Sequence, residues 1–190
     1  MTTKIYLVTG NPLKVKIAKS SLAPFNIEVE QLELETPEIQ SFDTEEVAKY
    51  SVKYAAEKTG KAVIKGDFGM HIEILGGFPG PFVKFINRWL TAEKFISLYQ
   101  NETNRKAYFI DALGYCEPEK EPVCFVTKTY GNLISAPLGN NGNMVDSLFI
   151  PDGFRKTIAS LSEEETVKLW SNDRYTQLAR YLKKLENKID

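Results

Sequence analysis

Residues 62–86 bring an acid and a lysine together with unusual backbone. Asp67 lies between Gly66 and Gly69, at the end of a short apolar run that is typical of a buried strand. Lys84 follows the segment GGFPGP, whose glycines and prolines indicate a stiff, irregular loop in which an X-Pro bond can be cis. A carboxylate and an ammonium group framed by such backbone are more typical of a functional site than of a scaffold.

Glu38 is a second candidate acid, because it also lies in a predicted loop beside a proline. Glu38 and Asp67 together would suit Mg²⁺, with water and phosphate oxygens as further ligands, and one of them could take a proton from an attacking water. The alternative is that both acids are merely solvated, since periodicity does not show that they meet. Lys84, Lys168 and Arg174 are candidate phosphate-binding cations, although most of the 24 Lys and Arg must be surface charges.

The first strand-to-helix turn is a third candidate. Thr9, Asn11 and Lys14 supply a hydroxyl, an amide and a cation around a helix start, and Pro12 suits the first helical position. Unpaired N–H groups at a helix start attract phosphate. The turn is neither a Walker A loop nor a GxGxxG turn, and taken alone it more often reads as an ordinary N-cap with a solvated lysine.

Four other residues carry weaker signals. His71 is the only histidine and lacks a nucleophile elbow, so we expect it to be structural or exposed. Asp111 lies in the middle of a predicted strand and is either a hydrogen-bonded core acid or a group that points into a cleft. Cys116 and Cys124 flank a turn, where they could lie opposite one another; we expect both to be reduced, and they are too few for a zinc site.

Apolar periodicity places these residues on alternating strands and helices, followed by an antiparallel pair. This order predicts an α/β fold with a mixed sheet. Two capping boxes are predicted, Asp43 with Glu46 and Ser162 with Glu165. The predicted strands are 4–9, 27–34, 62–64, 70–75, 107–116, 122–134 and a short one within 146–153; the predicted helices are 12–22, 43–59, one starting after Phe82, 91–100, 162–169 and 173–185.

Composition narrows the class of protein. The 190 residues suit one domain, 1–190, and 43% hydrophobic residues can bury a full core. The net charge of −1 disfavours a nucleic-acid scaffold. No apolar run reaches about 18 residues and the N-terminal segment has no leader pattern, so we expect a cytoplasmic protein without a membrane partner.

In these motifs the chain resembles the inosine triphosphate pyrophosphatases, which hydrolyse deaminated purine nucleoside triphosphates such as ITP, dITP and XTP. The likeness covers nearly the whole chain, and its most specific part is the loop that ends at Lys84. The matching segments are Thr9-Gly10-Asn11-Pro12-Leu13-Lys14, Pro37-Glu38-Ile39-Gln40, Asp67, residues 75–84, Ala136-Pro137 with Gly139, and Phe149 with residues 151–159.

The resemblance implies an elongated mixed β-sheet with two α/β lobes, a nucleotide cleft between them, and a homodimer. It implies that Mg²⁺ binds Glu38 and Asp67, that Asp67 also helps to activate water for attack at the α-phosphorus, and that the products are a nucleoside monophosphate and pyrophosphate. Asn11, Lys14 and Lys84 would neutralise phosphate charge. The implied substrate-binding residues are Thr9, Asn11, Lys14, Lys84, Asp146, Lys168 and Arg174.

Three departures from the family pattern concern the metal and the base. Gly66 replaces an acid that commonly precedes the catalytic aspartate, and Asp173 replaces a histidine that contacts the purine. The base-clamping segment reads Asn143-Met144-Val145-Asp146-Ser147, so both of its aromatic residues are missing. An aromatic stack contributes about 1–3 kcal/mol per base, so we expect weakened or altered base preference. The alternatives are a catalytically weak nucleotide-binding protein and, less favoured, an interaction protein.

Overall fold

The structure is a computed structural model that describes residues 3–187. Strands and helices alternate as far as the third strand, after which long antiparallel strands dominate. The strands are β1 Thr3–Val8, β2 Ile27–Leu32, β3 Val63–Ile72, β4 Pro79–Gly80, β5 Lys106–Cys116, β6 Val123–Leu133 and β7 Phe149–Pro151; the helices are α1 Pro12–Leu22, α2 Thr44–Thr59, α3 Val83–Trp89, α4 Ala92–Ser97, α5 Glu163–Trp170 and α6 Asp173–Glu186.

One mixed sheet contains all seven strands, in the order β2-β1-β3-β5-β6-β7, with β4 paired to β3. β1 is parallel to both β2 and β3, whereas the pairs β3–β5, β5–β6 and β6–β7 are antiparallel. The predicted α/β fold with a mixed sheet is therefore confirmed. α2 packs against β3 and β5, while α1 and α6 contact each other, and α6 also contacts β5 and β6.

β3 differs from the prediction in a way that matters for the candidate site. The sequence predicts two strands separated by a break around Asp67, but β3 runs unbroken from Val63 to Ile72. It stays continuous because each of its residues pairs in register with β5, with Asp67 opposite Ala112. Asp67 thus lies in the middle of a long strand, and the prediction that it ends a strand is wrong.

One other local prediction is also wrong. Asp43 caps α2 by accepting from the Glu45 N–H at 2.8 Å, while Glu46 accepts from the Ser41 hydroxyl, so no capping box forms. The expectation that both cysteines are reduced is confirmed, since both are free, and Cys124 lies opposite Gly114 rather than opposite Cys116. The second capping box, Ser162 with Glu165, is confirmed.

The interior contains two large hydrophobic clusters that share the long strands β3 and β5. Ile64 and Leu113 belong to the first cluster, together with residues of β1, β2, α1 and α6. Met70 and Phe109 belong to the second, together with residues of α3, α4 and the C-terminal half. The stretch of each strand between these positions, which contains Asp67 or Asp111, lies at the boundary between the two clusters.

Close backbone packing tightens this boundary. A Cβ at Gly69 would lie 2.7 Å from the Thr44 hydroxyl and 2.9 Å from the carbonyl carbon of Gly80, so the position admits only glycine without a shift of the backbone. The Phe78–Pro79 peptide bond that precedes Gly80 is cis. Among the helices described here, none is long and apolar enough to span a membrane.

Candidate functional site

Two cavities open beside the middle of β3. The large cavity has a volume of about 440 Å³ and lies among β3, β5, α1, α5, α6 and the loop at 141–146. The small cavity has a volume of about 300 Å³ and is lined by β3, the loop that carries Glu38, and the start of α3. Both are lined by Lys14, Gly66, Asp67, Phe68 and Asn143, so they form two parts of one cleft.

Asp67 lies where the two cavities meet, and its environment favours the protonated form. Burial raises the pKa of Asp67 to about 6, with Lys14 acting in the opposite direction and Glu38 raising it further. Glu38 acts on Asp67 in this way because both acids line the small cavity. An acid with a pKa near 6 can take up a proton at neutral pH, which suits a general base.

Lys14 reaches the cleft from the first turn of α1. Asn11 caps this helix, since its side chain accepts from the Leu13 N–H at 2.9 Å, and the Thr9 hydroxyl accepts from the Asn11 N–H at 3.1 Å. Asn11 also lines the large cavity, whereas Thr9 lines neither cavity and instead orders the turn. Burial lowers the pKa of Lys14, and nearby Lys65 lowers it further. An anion beside Lys14 would relieve both effects.

Glu38 and Lys84 line the small cavity on the side away from the large one. The Lys84 Nζ lies 3.4 Å from a Glu38 carboxylate oxygen, and the Lys84 side chain is 75% exposed. Such an exposed pair contributes little to stability, so neither side chain is needed there for folding. Lys84 is therefore free to turn toward a bound anion.

The carboxylates of the small cavity fit a hydrated magnesium ion. Glu38 and Asp67 are its two acids, and no group of three or more His, Cys, Asp or Glu that could hold a metal occurs in residues 3–187. Mg²⁺ commonly uses one or two carboxylates and completes its shell with water and phosphate. Packing does not require a glycine at position 66, because a Cβ there would make only ordinary contacts, the nearest at 3.7 Å.

Asp111 and Arg174 form a buried pair in the wall of the large cavity. An Arg174 guanidinium nitrogen lies 3.4 Å from an Asp111 carboxylate oxygen, and each residue is 8% exposed. These two atoms are buried without a hydrogen bond in the described structure. Burial raises the pKa of Asp111, while Arg174 and Lys14 act against it. Asp111 was expected to be either a hydrogen-bonded core acid or a group that points into a cleft. The second alternative fits the structure, since Asp111 lines the large cavity.

Asp146 and Lys168 are placed differently from each other. Asp146 lines the large cavity, where one carboxylate oxygen accepts from the Asn143 N–H at 2.7 Å and so closes the loop. Gly142 in this loop has φ +77, and a Cβ there would lie 2.3 Å from the same carboxylate. Lys168 is exposed and lines neither cavity, because the turn of α5 that presents Thr166 and Trp170 to the cavity directs position 168 away.

Phe68 and Trp170 are two aromatic residues of the large cavity that the sequence motifs do not single out. Phe68 follows Asp67 on β3, and Trp170 ends α5. The Lys14 Nζ lies 5.6 Å from the centre of the Phe68 ring, and Trp170 packs edge-on against Phe109 at 5.8 Å. Only the position of Phe68 next to the candidate acid Asp67 in the sequence could have indicated this. His71 is stacked on Tyr108 at 5.1 Å and lines neither cavity.

Comparison with known proteins relates most of this chain to one family. A model of the Ham1 family matches residues 5–175. The dITP/XTP pyrophosphatase of Methanopyrus kandleri is 40% identical over 186 residues, which are 98% of each chain. The dITP/XTP pyrophosphatase of Thermococcus kodakarensis is 35% identical over 85% of this chain and 87% of its own.

Two solved structures share the fold at low sequence identity. The Staphylococcus aureus Ham1 protein superposes with a TM-score of 0.78 at 23% identity, over 95% of this chain and 98% of its own. A HAM1 protein from Coxiella burnetii gives a TM-score of 0.80 at 22% identity, over 96% and 99% of the two chains. The mixed sheet and its helices are therefore a shared architecture.

Proposed function

The chain belongs to the Ham1 family, and from this premise we propose that it hydrolyses nucleoside triphosphates to nucleoside monophosphate and pyrophosphate. Its relatives named as dITP/XTP pyrophosphatases point to 6-oxopurine nucleotides as the substrate class. The observation that carries the proposal is the position of Asp67, an acid with a raised pKa between a cavity of base size and a cavity lined by cations and carboxylates.

The nucleotide would lie across the shared lining of the two cavities. The base and ribose fit the large cavity, whose volume and apolar walls suit a flat ring. The triphosphate would enter the small cavity, where Lys14 and Lys84 provide positive charge. This placement brings the α-phosphorus close to Asp67. Asn11 would contribute its amide to the same phosphates from the start of α1.

Asp67 would act as the base that activates water. In its ionised form the carboxylate accepts a proton from a water aligned with the α-phosphorus, and the water oxygen forms the new P–O bond as the bond to the pyrophosphate oxygen breaks. Lys14 and Lys84 stabilise the charge that moves onto the leaving pyrophosphate. The capped turn fixes the backbone from which Lys14 enters the cleft.

Glu38 and Asp67 would hold Mg²⁺ as the cofactor together with the substrate. When bound, the metal would neutralise part of the negative charge on the phosphate oxygens. The upward effect of Glu38 on the pKa of Asp67 supports the assignment, because a cation between the two carboxylates would offset that effect. Stripping divalent ions should abolish turnover, and Mg²⁺ should restore it in the wild type.

Pyrophosphate release from a panel of NTPs and dNTPs with Mg²⁺ tests the proposed reaction. We expect turnover of ITP, dITP and XTP that falls at least 100-fold in Asp67→Asn. Asp152→Asn is the matched control, since it removes an exposed carboxylate outside both cavities and should leave the rate unchanged. Binding of nucleotides without pyrophosphate release from any of them would instead establish a nucleotide-binding protein.

The homodimer implied by the family resemblance is also a proposal. A row of aromatic side chains beside the small cavity supports it. Each member contacts the next in the order Phe42, Phe82, Phe85, Trp89, and Trp89 is 69% exposed. Light scattering combined with size exclusion measures the mass in solution. Trp89→Glu should shift a dimer toward the monomer, whereas a monomeric wild type would contradict the proposal.

A further inference from the structure

The small cavity has more cations than acids in its lining. Its ionisable residues are three lysines and two acids: Lys14, Lys65, Lys84, Glu38 and Asp67. With both acids ionised, three positive and two negative charges leave a net charge of +1. Gly66, which stands where the family commonly has a further acid, adds no negative charge to this lining. A concave surface with an excess of ammonium groups attracts anions.

Lys65 is the lysine of this cavity whose ammonium group has no partner among residues 3–187. The Lys84 ammonium lies 3.4 Å from a Glu38 oxygen, and the Lys14 ammonium lies 5.6 Å from the centre of the Phe68 ring. Lys65 makes no ion pair, side-chain hydrogen bond or cation–π contact within the described residues, although it is partly buried. Because an ammonium group has three donors and no acceptor, this side chain is suited to an anionic ligand.

The strand β3 directs Lys65 and Asp67 to the same side of the sheet. Side chains alternate between the two faces of a strand, and these residues are two positions apart in β3. Their partners on β5 are small, Gly114 opposite Lys65 and Ala112 opposite Asp67. Lys65 lines only the small cavity, whereas Asp67 lines both. With the α-phosphorus beside Asp67, as in the proposed placement of the substrate, Lys65 lies on the side of the β- and γ-phosphates.

The charge of Lys65 acts on two neighbouring groups of the cavity. Burial lowers the pKa of Lys14, and the positive charge of Lys65 lowers it further. Burial raises the pKa of Asp67 to about 6, while Lys65 acts in the opposite direction. Two ammonium groups that disfavour each other are both stabilised by an anion that contacts them. Pyrophosphate suits this role, because its oxygens and negative charges are spread over two phosphorus atoms.

We propose that Lys65 binds the pyrophosphate part of the substrate, donating hydrogen bonds to oxygens of the β- and γ-phosphates and retaining them as the leaving group departs. The assignment rests on the proposed function for the substrate, and it adds a third cation to Lys14 and Lys84. Because Lys65 and Asp67 share β3, one strand holds both the base and a donor to the leaving group. Removing a hydrogen bond to a charged group changes affinity by roughly 10- to 100-fold.

Isothermal titration calorimetry of the full chain with inorganic pyrophosphate, and separately with IMP, tests the assignment. Lys65→Gln should weaken pyrophosphate binding by roughly tenfold or more and change IMP binding by less than about twofold. Lys65→Arg should restore pyrophosphate binding to within about threefold of the wild type. Lys128→Gln is the matched control, since Lys128 is an exposed strand residue outside both cavities, and it should leave both affinities unchanged. Unchanged pyrophosphate binding in Lys65→Gln, or an equal loss for both ligands, would overturn the assignment.

Repeating the titration in EDTA separates a direct contact from an effect through the metal. The loss in Lys65→Gln should persist without divalent ions. A loss confined to Mg²⁺ buffer would show that Lys65 only adjusts the acids Glu38 and Asp67, and this would overturn the assignment. Pyrophosphate binding that depends on Lys65, without turnover of any triphosphate, would refute the proposed reaction and keep the assignment.

Protection from acetylation in the wild type decides the question even where a variant fails to fold. Acetic anhydride modifies accessible lysines, and mass spectrometry of peptides measures the extent at each position. Saturating pyrophosphate should reduce the acetylation of Lys65 several-fold and leave that of Lys128 unchanged. Equal acetylation of Lys65 with and without pyrophosphate would contradict a contact between them.

Discussion

Replacing Asp67 by asparagine should stabilise the protein while it removes the activity. The raised pKa means that the folded protein favours the neutral acid, so ionisation of Asp67 weakens folding. A rise from the ordinary value of 3.8 to about 6 corresponds to a cost of about 3 kcal/mol at 1.36 kcal/mol per pKa unit. Asparagine keeps the shape of the side chain without the charge and avoids this cost.

The sign of the pH dependence follows from the two pKa values. Below 3.8 the acid is neutral in both folded and unfolded chains, so the variant gains nothing from the loss of charge. Between 3.8 and about 6 the unfolded chain ionises while the folded one resists, and the cost grows. Above about 6 the cost is complete. The advantage of Asp67→Asn should therefore grow from about 1 kcal/mol at pH 4.5 to about 3 kcal/mol at pH 8.

Urea unfolding at several pH values, with EDTA and without nucleotide, measures this difference directly. Asp152→Asn provides the matched control and should change the free energy of unfolding by less than about 0.5 kcal/mol at each pH. Mg²⁺ should narrow the gap between the variant and the wild type, because it stabilises only the ionised carboxylate. A gain that is absent at pH 8, or is equal at pH 4.5 and pH 8, would refute the reasoning.

Three further substitutions test the roles of individual positions. Lys84→Gln should slow pyrophosphate release at least tenfold and change stability by less than about 1 kcal/mol, because its exposed pair with Glu38 contributes little to folding; urea unfolding alongside the assay checks both. Lys168→Gln should leave kcat/KM within about twofold of the wild type, since Lys168 lines neither cavity, and a larger loss would place it at the substrate. Gly69→Ala should lower the free energy of unfolding by about 1–3 kcal/mol, because the new methyl group would press on Thr44 and Gly80; an unchanged unfolding midpoint would contradict the close packing.

Local signals in the sequence predict the elements whose determinants are themselves local. The turn from Asn11 to Lys14 could be anticipated because an N-cap followed by proline specifies a helix start within four residues. The Ser162 capping box and the left-handed Gly60 after α2 follow in the same way. Glycines around Asp67 gave a misleading local signal, because pairing with β5 overrides their weak strand propensity.

The composition of the cavities depends on contacts between distant residues, and the sequence does not contain a local sign of them. Asp111 and Arg174 are adjacent only because α6 packs against β5. Trp170 reaches the large cavity through the packing of α5, and Lys168 is excluded from it by the same helix. The resemblance to a family supplies the list of candidate residues, but only the packing determines which of them share a cavity.

Trp170 packs against both large hydrophobic clusters, which are otherwise connected through the strands β3 and β5 that they share. The candidate site thus spans a seam between two halves of the interior. A nucleotide held by Lys14 on one side and by the loop of Asp146 on the other would act as a crosslink across that seam. Bound nucleotide would then couple the unfolding of the two halves. The nucleotide-free protein could unfold locally at the site, whereas the nucleotide-bound protein would have to unfold globally.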